Sequence, residues 1–474
     1  MRKPAPSELP AAESGRSPGP TGPLTACVIW ANDYATGMAN LGHQRVWELV
    51  DGYGPWSADR LYTADRPAGT PVSFAWSRPL GAFDLLILSL SFEADYPAAL
   101  ELLDAAGLLH YGPGRRGPLV IAGGIAPTLN PRPLSPFVDA VYRGDAEAAL
   151  PGLLTELAET QLERAVARSI FSATGLHLEG EDPAASTIQR WRSPDGIYAA
   201  SRTISPHSHF GRTLLVELGR GCPRRCRFCA ARWAAGGWRP ADPAALLGLI
   251  DERTAELDVR ELGLVGTAVA ESGRFLELLA KLEQRGYKAS SSSLRADLLT
   301  PEIAAALVRL GQRTLTLSAE AGSRRLRELL DKDLDEGDLL RAAGAAAGAG
   351  AARLKLYFIY GLPGEDDDDL AAIVELAAAV KKRLGRTRLD ISASPLVPKP
   401  LTPLAEAPLL PESELRRRRK LLVGGLARVG LTAFTGESPR QALWQAVLAR
   451  GDGDVLRRLR AGEPKGALIR EFAG

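Results

Sequence analysis

The segment Glu217-Leu-Gly-Arg-Gly-Cys222-Pro-Arg-Arg-Cys226-Arg-Phe-Cys229 places three cysteines within eight residues, directly after an apolar run typical of a β-strand. Catalytic groups of α/β barrels lie on loops at the carboxyl ends of strands, so the segment predicts a metal site at the mouth of such a fold. Three thiolates can hold three irons of a cubane cluster and leave the fourth iron open to a chelating molecule. The chain has only four cysteines, and their clustering disfavours a disulfide scaffold and indicates a reducing compartment, the cytoplasm.

A zinc site is the alternative interpretation of this cluster. Structural zinc takes four ligands, and His207 or His209 could supply the fourth. Such sites favour paired cysteines with the second pair well separated, which the C-x3-C-x2-C spacing around Phe228 fits poorly. The fourth cysteine, Cys27, is remote in the sequence and fits a small buried hydrophobe on the first strand. The cluster therefore favours iron over zinc and gives no reason to expect a fourth protein thiolate.

The composition is that of a globular protein with two or three domains. Of the 474 residues, 45% are apolar and 24% are charged, and the net charge is +2. This nearly neutral balance gives no reason to expect nucleic acid or an acidic membrane as an obligate partner, and no run of about twenty apolar residues predicts a membrane span. A basic run at 416–420 has two interpretations, an RNA contact or a solvated helix face, and the solvated face is favoured.

The alternation of apolar runs with helical stretches predicts the domain organisation. Residues 1–23 are rich in Pro, Ser, Gly and Ala and predict a disordered leader. Near-continuous apolar runs at 24–160 predict a doubly wound, Rossmann-like α/β domain. A mixed connector follows at 161–211, and six strand–helix units at 212–410 predict a partial TIM-type barrel. Residues 411–474 predict a helical C-terminal extension.

The barrel segment resembles the radical S-adenosylmethionine (SAM) superfamily. The resemblance rests on C-x3-C-x-aromatic-C after the first strand, on Leu264-Val-Gly-Thr-Ala268 and Ser290-Ser-Ser-Ser-Leu-Arg295, and on Leu317-Ser-Ala-Glu-Ala-Gly-Ser323 and Tyr357-Phe-Ile-Tyr-Gly-Leu-Pro-Gly-Glu365. It implies a [4Fe–4S] cluster on the three cysteines. It also implies a SAM site, in which an acid contacts SAM and a basic residue binds its carboxylate. The SAM residues that it implies are Phe228, Gly266, Thr267, Ser291, Glu320 and Lys332.

The stretches Tyr34–His43, Ser89–Glu93, Ile121–Pro127 and Arg143–Glu147 resemble the group of this superfamily that carries a cobalamin-binding-like domain before the barrel. The resemblance implies that Gly123, Gly124 and Gly144 lie at the rim where cobalamin binds. The small size of such glycines after a strand lets a ligand approach the backbone, although tight turns in an empty domain explain them equally. The usual Asp-x-His-x-x-Gly signature is missing, since His43 follows Gly42 in the wrong order and is expected on the first helix. Cobalamin binding is therefore left open, and a domain that keeps only the fold is the alternative.

The resemblance implies an enzyme that reductively cleaves SAM to form a radical. It also implies a small-molecule substrate and an external electron donor of the flavodoxin or ferredoxin type. With cobalamin, the leading hypothesis is methyl transfer to an unactivated carbon. The alternatives are a cobalamin-independent radical rearrangement or oxidation and a non-catalytic iron–sulfur or cobalamin sensor. Methylthiolation is disfavoured, because related enzymes use three further cysteines in the N-terminal domain and only Cys27 lies there.

Overall fold

The computed structural model describes residues 8–15, 19–66, 69–109 and 117–473, which divide into two compact units. Unit 1 comprises Met1–Val216, Ala245–Val259 and Leu448–Glu463, and unit 2 comprises Glu217–Ala244, Arg260–Val447 and Pro464–Gly474. These divisions differ from the expected domains in two ways. The expected connector at 161–211 belongs to unit 1, and the expected extension at 411–474 is shared between the units.

Unit 1 is built on a five-stranded parallel sheet. Its strands are β1 (Leu24–Trp30), β2 (Trp56–Tyr62), β3 (Leu85–Ser89), β4 (Leu119–Gly123) and β5 (Ala140–Val141). Their spatial order is β2-β1-β3-β4-β5, and every neighbouring pair is parallel. The order reverses between β1 and β3, and open α/β sheets bind ligands beyond the strand ends at such a switch point. The sheet agrees with the doubly wound domain expected from the near-continuous apolar runs.

Helices cover the sheet of unit 1. They are α1 (Tyr34–Met38), α2 (Leu41–Val50), α3 (Tyr96–Ala105), α4 (Ile125–Leu129), α5 (Ala146–Glu159) and α6 (Arg164–Ala173). Two buried tryptophans anchor the packing, because Trp47 donates from Nε1 to the Ala58 carbonyl at 2.9 Å and Trp56 donates to the Leu154 carbonyl at 3.0 Å. Both indoles thus bury a large apolar surface without losing the hydrogen bond of the N–H group.

The N-terminal segment is ordered where it is described, so the expectation of a disordered leader was wrong for residues 8–15. Ser14–Gly15 pairs antiparallel with Thr203–Ile204, and both oxygens of Glu13 accept hydrogen bonds from the Arg60 guanidinium at 2.8 and 2.9 Å. Arg60 is fully buried, and a buried cation requires a charged partner. The composition of residues 1–23 gave no indication that the carboxylate of Glu13 would pair with a buried arginine. The rest of the expected leader, residues 1–7 and 16–18, lies outside the described residues.

Unit 1 includes two helices that come from distant parts of the sequence. The first is α8 (Pro243–Leu257), whose Arg253 forms an ion pair with Glu48 at 3.3 Å. The second, α16 (Gly453–Arg460), follows a turn whose carbonyl at Gly451 accepts a hydrogen bond from Asn130 Nδ2 at 2.8 Å. Polar contacts between residues so far apart leave no periodic pattern in a sequence, which explains why the expected boundaries missed them.

Unit 2 contains the strands of the expected partial barrel. They follow β6 (Leu214–Glu217), of which only Glu217 belongs to this unit. The strands of unit 2 itself are β7 (Glu261–Val265), β8 (Lys288–Ser291), β9 (Thr314–Glu320), β10 (Arg353–Tyr360), β11 (Arg388–Pro395) and the short β12 (Phe434–Thr435). Strands β6 to β11 correspond to the six strand–helix units that the sequence predicted at 212–410. They form a three-stranded sheet, β8-β7-β6, and a four-stranded parallel sheet, β9-β10-β11-β12. A single parallel bridge joins Leu294, after β8, to Leu317 on β9.

Helices follow the strands of unit 2 in the alternating pattern that the sequence predicted. They are α7 (Ala230–Ala235), α9 (Phe275–Gln284), α10 (Pro301–Arg309), α11 (Arg324–Leu329), α12 (Glu336–Gly348), α13 (Asp367–Leu384), α14 (Glu412–Arg428), α15 (Pro439–Arg450) and α17 (Lys465–Ala473). Side-chain caps begin several of them, and α12 and α13 each start with a full capping box. Among the described residues, no helix has the length and apolar character needed to cross a membrane.

Candidate iron–sulfur and SAM site

The loop that carries the cysteines follows β6, and two paired segments hold its ends together. Gly219–Arg220 pairs antiparallel with Arg239–Pro240, so both ends of the loop are held together. Gly221 has a φ of +75°, and a Cβ at this position would lie 2.3 Å from the Gly237 carbonyl oxygen, so only glycine fits. The Cys222 amide donates to the Gly236 carbonyl at 3.1 Å. The loop is therefore a fixed platform at the carboxyl end of a strand.

The three thiols differ in burial. Cys226 is buried, whereas Cys222 and Cys229 are half-buried. Burial raises the pKa of Cys229 to about 11, and it also raises the pKa values of Cys222 and Cys226. For Cys226 the positive charge of Lys332 opposes this effect. Burial thus disfavours free thiolates at this loop, and thiolates at such positions are stabilised by a bound metal.

The donor set fits a cluster that has one open iron. Three thiolates complete the protein ligands of three irons, and the fourth iron is then free to bind a chelating molecule. Within the described ranges, no three His, Cys, Asp or Glu side chains are gathered closely enough to hold a metal ion as they stand, so the fit rests on the chemistry of the three thiols and not on their spacing. His207 and His209, the candidate fourth ligands of a zinc site, belong to unit 1, where their backbone amides bond to Ser205 and Ala35.

Contacts with other loops of unit 2 fix the cysteine loop. The Arg227 amide donates to the Leu330 carbonyl at 2.9 Å, and its own carbonyl accepts from the Leu404 amide at 3.1 Å. Phe228 packs against an apolar cluster that includes Leu330 and Leu362. This aromatic ring, which the resemblance assigned to SAM binding, is half-buried among side chains that follow β9 and β10. It therefore also has a structural role, since it anchors the loop between two cysteines.

The loop after β7 contacts the cysteine loop directly. The Thr267 hydroxyl donates to the Gly221 carbonyl, and the Gly266 carbonyl accepts from the Ser292 hydroxyl at 3.0 Å. Ser291, at the end of β8, has a different partner. Its amide donates to Gln312 Oε1 at 2.9 Å. The structure thus bonds Thr267 to the cysteine loop and Gly266 to Ser292, whereas Ser291 is bonded to the segment that precedes β9.

Glu320 and Lys332 form a buried ion pair, which the sequence did not predict. Lys332 Nζ lies 2.9 Å from Glu320 Oε1, and both residues are buried. A bulge between Ser318 and Glu320 shifts the register of β9 against β10, and Glu320 has a φ of +66°. Bulges next to active sites re-aim a side chain, and a non-glycine residue in the left-handed region is disfavoured. The strained backbone of Glu320 is therefore what turns its carboxylate toward Lys332.

The loop after β10 is closed by a second buried ion pair. Glu365 accepts from the Gly361 amide at 2.6 Å and from Arg418 on α14 at 2.6 Å. Arg418 belongs to the basic run, and its neighbours are also paired with acids: Arg416 with Glu412 and Arg417 with Asp367. Three residues of the basic run therefore form ion pairs with acids, and one of them, Arg418, is buried.

The glycines assigned to the cobalamin rim of unit 1 are explained by backbone packing. A Cβ on Gly124 would lie 2.2 Å from the Leu90 carbonyl oxygen, and one on Gly144 would lie 2.0 Å from the Gln189 carbonyl oxygen. Gly123 is less constrained, since the nearest atom to its Cβ would be 3.5 Å away. Gly124 and Gly144 therefore let neighbouring backbones meet, and their presence does not require a ligand.

Other features of unit 1 do fit a ligand at the strand ends. A cavity of about 370 Å³ lies at the switch point, where Asn32 after β1 donates to Asp95 after β3 at 3.1 Å. Burial raises the pKa of Asp95 to about 6. Phe92 after β3 is 57% exposed and Ile125 after β4 is 39% exposed. Exposed apolar side chains on neighbouring loops mark a binding surface more often than isolated ones do. The sequence contained both residues, but exposure cannot be read from residue type.

His43 lies on α2 in a buried aromatic environment. Its ring packs against Trp30 at 5.5 Å and Tyr62 at 5.7 Å between centroids, and neither ring nitrogen has a hydrogen-bond partner in the described part of the chain. Burial, with a smaller contribution from the Arg60 charge, lowers the pKa of His43 to about 3. The ring is therefore held neutral, as expected for a core side chain and not for a cobalt ligand.

We expect His43 to make the chain less stable in acid. A folded pKa of about 3 lies below the ordinary 6.5, so the unfolded chain binds the proton more tightly and stability is lost as pH falls below 6.5. Between pH 7 and pH 5 this single group should cost about 2 kcal/mol. His43→Phe should remove that difference in urea denaturation, whereas His209→Phe, at an exposed position, should retain it. Equal acid loss in wild type and His43→Phe would contradict the assignment.

Two family models and one relative match this chain. The family model described as "Radical SAM superfamily" matches residues 216–377, and the model "Radical SAM proteins, N-terminal" matches residues 42–177. An uncharacterized protein of Methanocaldococcus jannaschii, MJ0966, is 30% identical over 381 residues, which are 80% of this chain and 80% of that protein. The matches cover both compact units.

Two solved structures share the fold. The radical SAM methyltransferase TsrM from Kitasatospora setae, solved with cobalamin and a [4Fe–4S] cluster, has a TM-score of 0.54 at 12% identity over 94% of this chain and 99% of that one. The cobalamin-dependent radical SAM enzyme OxsB, solved with aqua-cobalamin and SAM, has a TM-score of 0.51 at 12% identity. It matches 89% of this chain, which spans 65% of OxsB. The chain belongs to the radical SAM superfamily, whose members are enzymes that use a [4Fe–4S] cluster and SAM, and it has the fold of the group with a cobalamin-binding-like domain.

Proposed function

We propose that this chain is a cobalamin-dependent radical SAM methyltransferase that acts on an unactivated carbon of a polar small molecule. The observation that carries the proposal is the loop of three cysteines beside the buried Glu320–Lys332 pair. It is supported by a fold shared over nearly the whole chain with a methyltransferase of this type. When bound, the cluster supplies the electron that cleaves SAM, and cobalamin supplies methyl transfer.

The proposed reaction replaces one C–H hydrogen of the substrate by a methyl group. One SAM gives the methyl group and leaves as S-adenosylhomocysteine. A second SAM is reductively cleaved to methionine and a 5′-deoxyadenosyl radical, which takes the hydrogen from the substrate carbon and becomes 5′-deoxyadenosine. The electrons come from an external donor of the flavodoxin or ferredoxin type. Cys222, Cys226 and Cys229 are proposed to hold the cluster.

The SAM contacts are proposed to come from loops after successive strands. Gly266 and Thr267, which already lie against the cysteine loop, are proposed to present backbone groups to the SAM amino group, and Ser291 is proposed to lie at the same mouth. Glu320 and Lys332 are proposed to bind SAM, with the ammonium of Lys332 on its carboxylate. Phe228 is proposed to shield this site from water, because it packs into the apolar cluster beneath the loop.

The half-buried face of β10 supports a polar substrate. Along this strand buried residues alternate with half-buried ones, and the half-buried set includes Lys355 and Tyr357. In register with them lie Thr316 and Ser318 on β9 and Ser392 on β11. Barrel interiors are ordinarily filled by branched apolar residues. The Lys355 ammonium instead lies 4.8 Å from the Tyr357 ring centroid, on the side of the strand's carboxyl end. Asp390 on β11, in register with Lys355, adds a carboxylate that pairs with Arg353 and Arg388. A face of hydroxyls and charged groups of both signs suits a polar substrate.

Cobalamin binding decides between the proposal and its nearest rival. We expect the anaerobically reconstituted full chain to retain about one cobalamin per chain after incubation with hydroxocobalamin and gel filtration, read from the visible absorbance. Phe92→Glu should lose the bound chromophore and keep its iron, because the substitution puts a charge on the exposed apolar surface next to the strand ends. Val166→Glu, at an exposed apolar residue on α6, is the matched control.

A cobalamin-independent radical rearrangement or oxidation is the second candidate function. The packing of Gly124 and Gly144 against backbone favours it, since both glycines are explained without a ligand. A wild-type chain that cleaves SAM but retains no chromophore would establish this candidate over the methyltransferase. A chain that binds iron and neither cleaves SAM nor methylates would favour a non-catalytic sensor.

A further inference from the structure

Arg295 bonds to the backbone of the segment that carries Lys332. It follows β8 at the end of the Ser290–Arg295 motif. Its guanidinium donates from Nη1 to the Lys332 carbonyl at 2.9 Å and from Nη2 to the Asp333 carbonyl at 2.7 Å. The rest of the guanidinium forms a two-point contact with Asp297 at 3.0 and 3.1 Å. Four hydrogen bonds therefore engage all three nitrogens of this guanidinium, and two of the bonds reach a loop more than thirty residues away.

The segment that Arg295 holds has a disfavoured backbone. Asp331 has a φ of +51° and Asp333 a φ of +49°, so Lys332 lies between two non-glycine residues in the left-handed region. Such conformations persist only where surrounding contacts determine them. The Lys332 amide donates to the Arg327 carbonyl at 3.0 Å, and the carbonyls of Lys332 and Asp333 accept from the Arg295 guanidinium. Without the hydrogen bonds from Arg295, we expect the backbone of residues 331–333 to leave its disfavoured conformation, and the Lys332 side chain to move with it.

A wider network joins Arg295 to the cysteine loop. Arg224, between Cys222 and Cys226, pairs with Glu271 at 2.7 Å, and Glu271 lies 3.9 Å from Arg295. Arg224 also lies 3.6 Å from Asp333, but that carboxylate is 85% exposed and such a pair contributes little. Arg295 has a side chain only 12% exposed. The shielded hydrogen bonds of Arg295 therefore act together with the Lys332 amide bond to Arg327 and the Glu320 ion pair in fixing where Lys332 lies.

We propose that Arg295 is a positioning residue of the SAM site, which acts through Lys332. By fixing the backbone at Lys332 and Asp333, it holds the Lys332 ammonium beside Glu320, where the SAM carboxylate is to bind. Arg295 itself makes no contact with SAM in this account. The inference rests on the SAM-binding role proposed for Lys332. An arginine suits this position because its planar guanidinium can donate to two successive carbonyls and also to Asp297.

SAM affinity and turnover of the reconstituted full chain test this inference. For Arg295→Ala we expect the KM for SAM in 5′-deoxyadenosine formation to rise at least about tenfold. The kcat at saturating SAM should stay within about threefold and the iron content should not change. Arg295→Lys should recover part of the loss, since one ammonium can reach one carbonyl. A drop in kcat and iron with an unchanged KM would overturn the proposal, because it would show a merely structural role. Arg309→Ala, which removes an exposed ion pair with Glu283, is the control.

A double-mutant cycle separates this inference from the proposed role of Lys332. SAM dissociation constants are measured by equilibrium dialysis for Lys332→Met with and without Arg295→Ala. If Arg295 acts through Lys332, its removal should change the affinity of the Lys332→Met chain by less than about twofold. Additive losses would overturn the inference while leaving Lys332 as a SAM residue. Wild-type affinity in Lys332→Met itself would instead overturn the role of Lys332, and the inference with it.

Discussion

Replacing Cys226 by alanine should reduce SAM cleavage to background, a loss of at least about 10³-fold. Cys226 is the buried thiol of the three, and its backbone carbonyl accepts a hydrogen bond from the Trp233 indole at 3.2 Å. Two remaining thiolates leave two irons of a cubane without a protein ligand, so the cluster should not persist through purification. Stability should fall by only about 1 kcal/mol, because the substitution removes a single buried sulfur atom.

The measurement is 5′-deoxyadenosine formation with dithionite and SAM, together with iron analysis of the same sample. Cys27→Ala is the matched control, since it removes a fully buried cysteine on β1 of unit 1 and leaves the cysteine loop intact. It should retain full iron and full cleavage. Wild-type cleavage by Cys226→Ala would show that this thiol is not a ligand.

Replacing Lys332 by methionine should lower kcat/KM for SAM by at least about 10²-fold while the iron content stays unchanged. Methionine keeps the length of the side chain and removes its charge. Glu320 would then lie buried beside an apolar group, and breaking a buried ion pair from one side costs about 3 kcal/mol or more of stability. Two effects are therefore expected, one on SAM binding and one on the free energy of unfolding.

The two effects of the Lys332 substitution can be separated. Glu320→Gln combined with Lys332→Met leaves no unpaired charge, so the double variant should recover much of the stability and none of the SAM binding. Lys288→Met removes a lysine from an exposed ion pair with Glu261 and should change neither quantity. Loss of iron in Lys332→Met would mean that the lysine stabilises the cluster loop and not SAM.

The cysteine loop and its strands could be predicted because their signals are local. Cys222, Cys226 and Cys229 are close in sequence, and the apolar runs that flank them have the period and length of buried strands. The Glu320–Lys332 pair could not be predicted in the same way. It depends on a bulge in β9 and on left-handed residues on both sides of Lys332, none of which is a glycine. Arg295 stood in a motif noted from the sequence, yet its bonds to the Lys332 segment go to backbone carbonyls, which every residue possesses.

Glycine and the N-terminal segment show a further limit of sequence reasoning. Gly124 and Gly144 have the pattern expected of a ligand rim, but both glycines make room for a neighbouring carbonyl. A sequence does not distinguish the two uses. Glu13 lies in a stretch whose composition predicts disorder, yet it is the partner of the buried Arg60. An ion pair between residues 47 positions apart cannot be predicted from the average composition of the segment.

The identity of the bound metal tests the central claim most directly. Iron, sulfide and zinc should be determined on the full chain after anaerobic reconstitution and gel filtration. The account predicts about four irons and four sulfides per chain, with broad absorbance near about 400 nm that is absent from Cys226→Ala. One zinc per chain and no iron would contradict it.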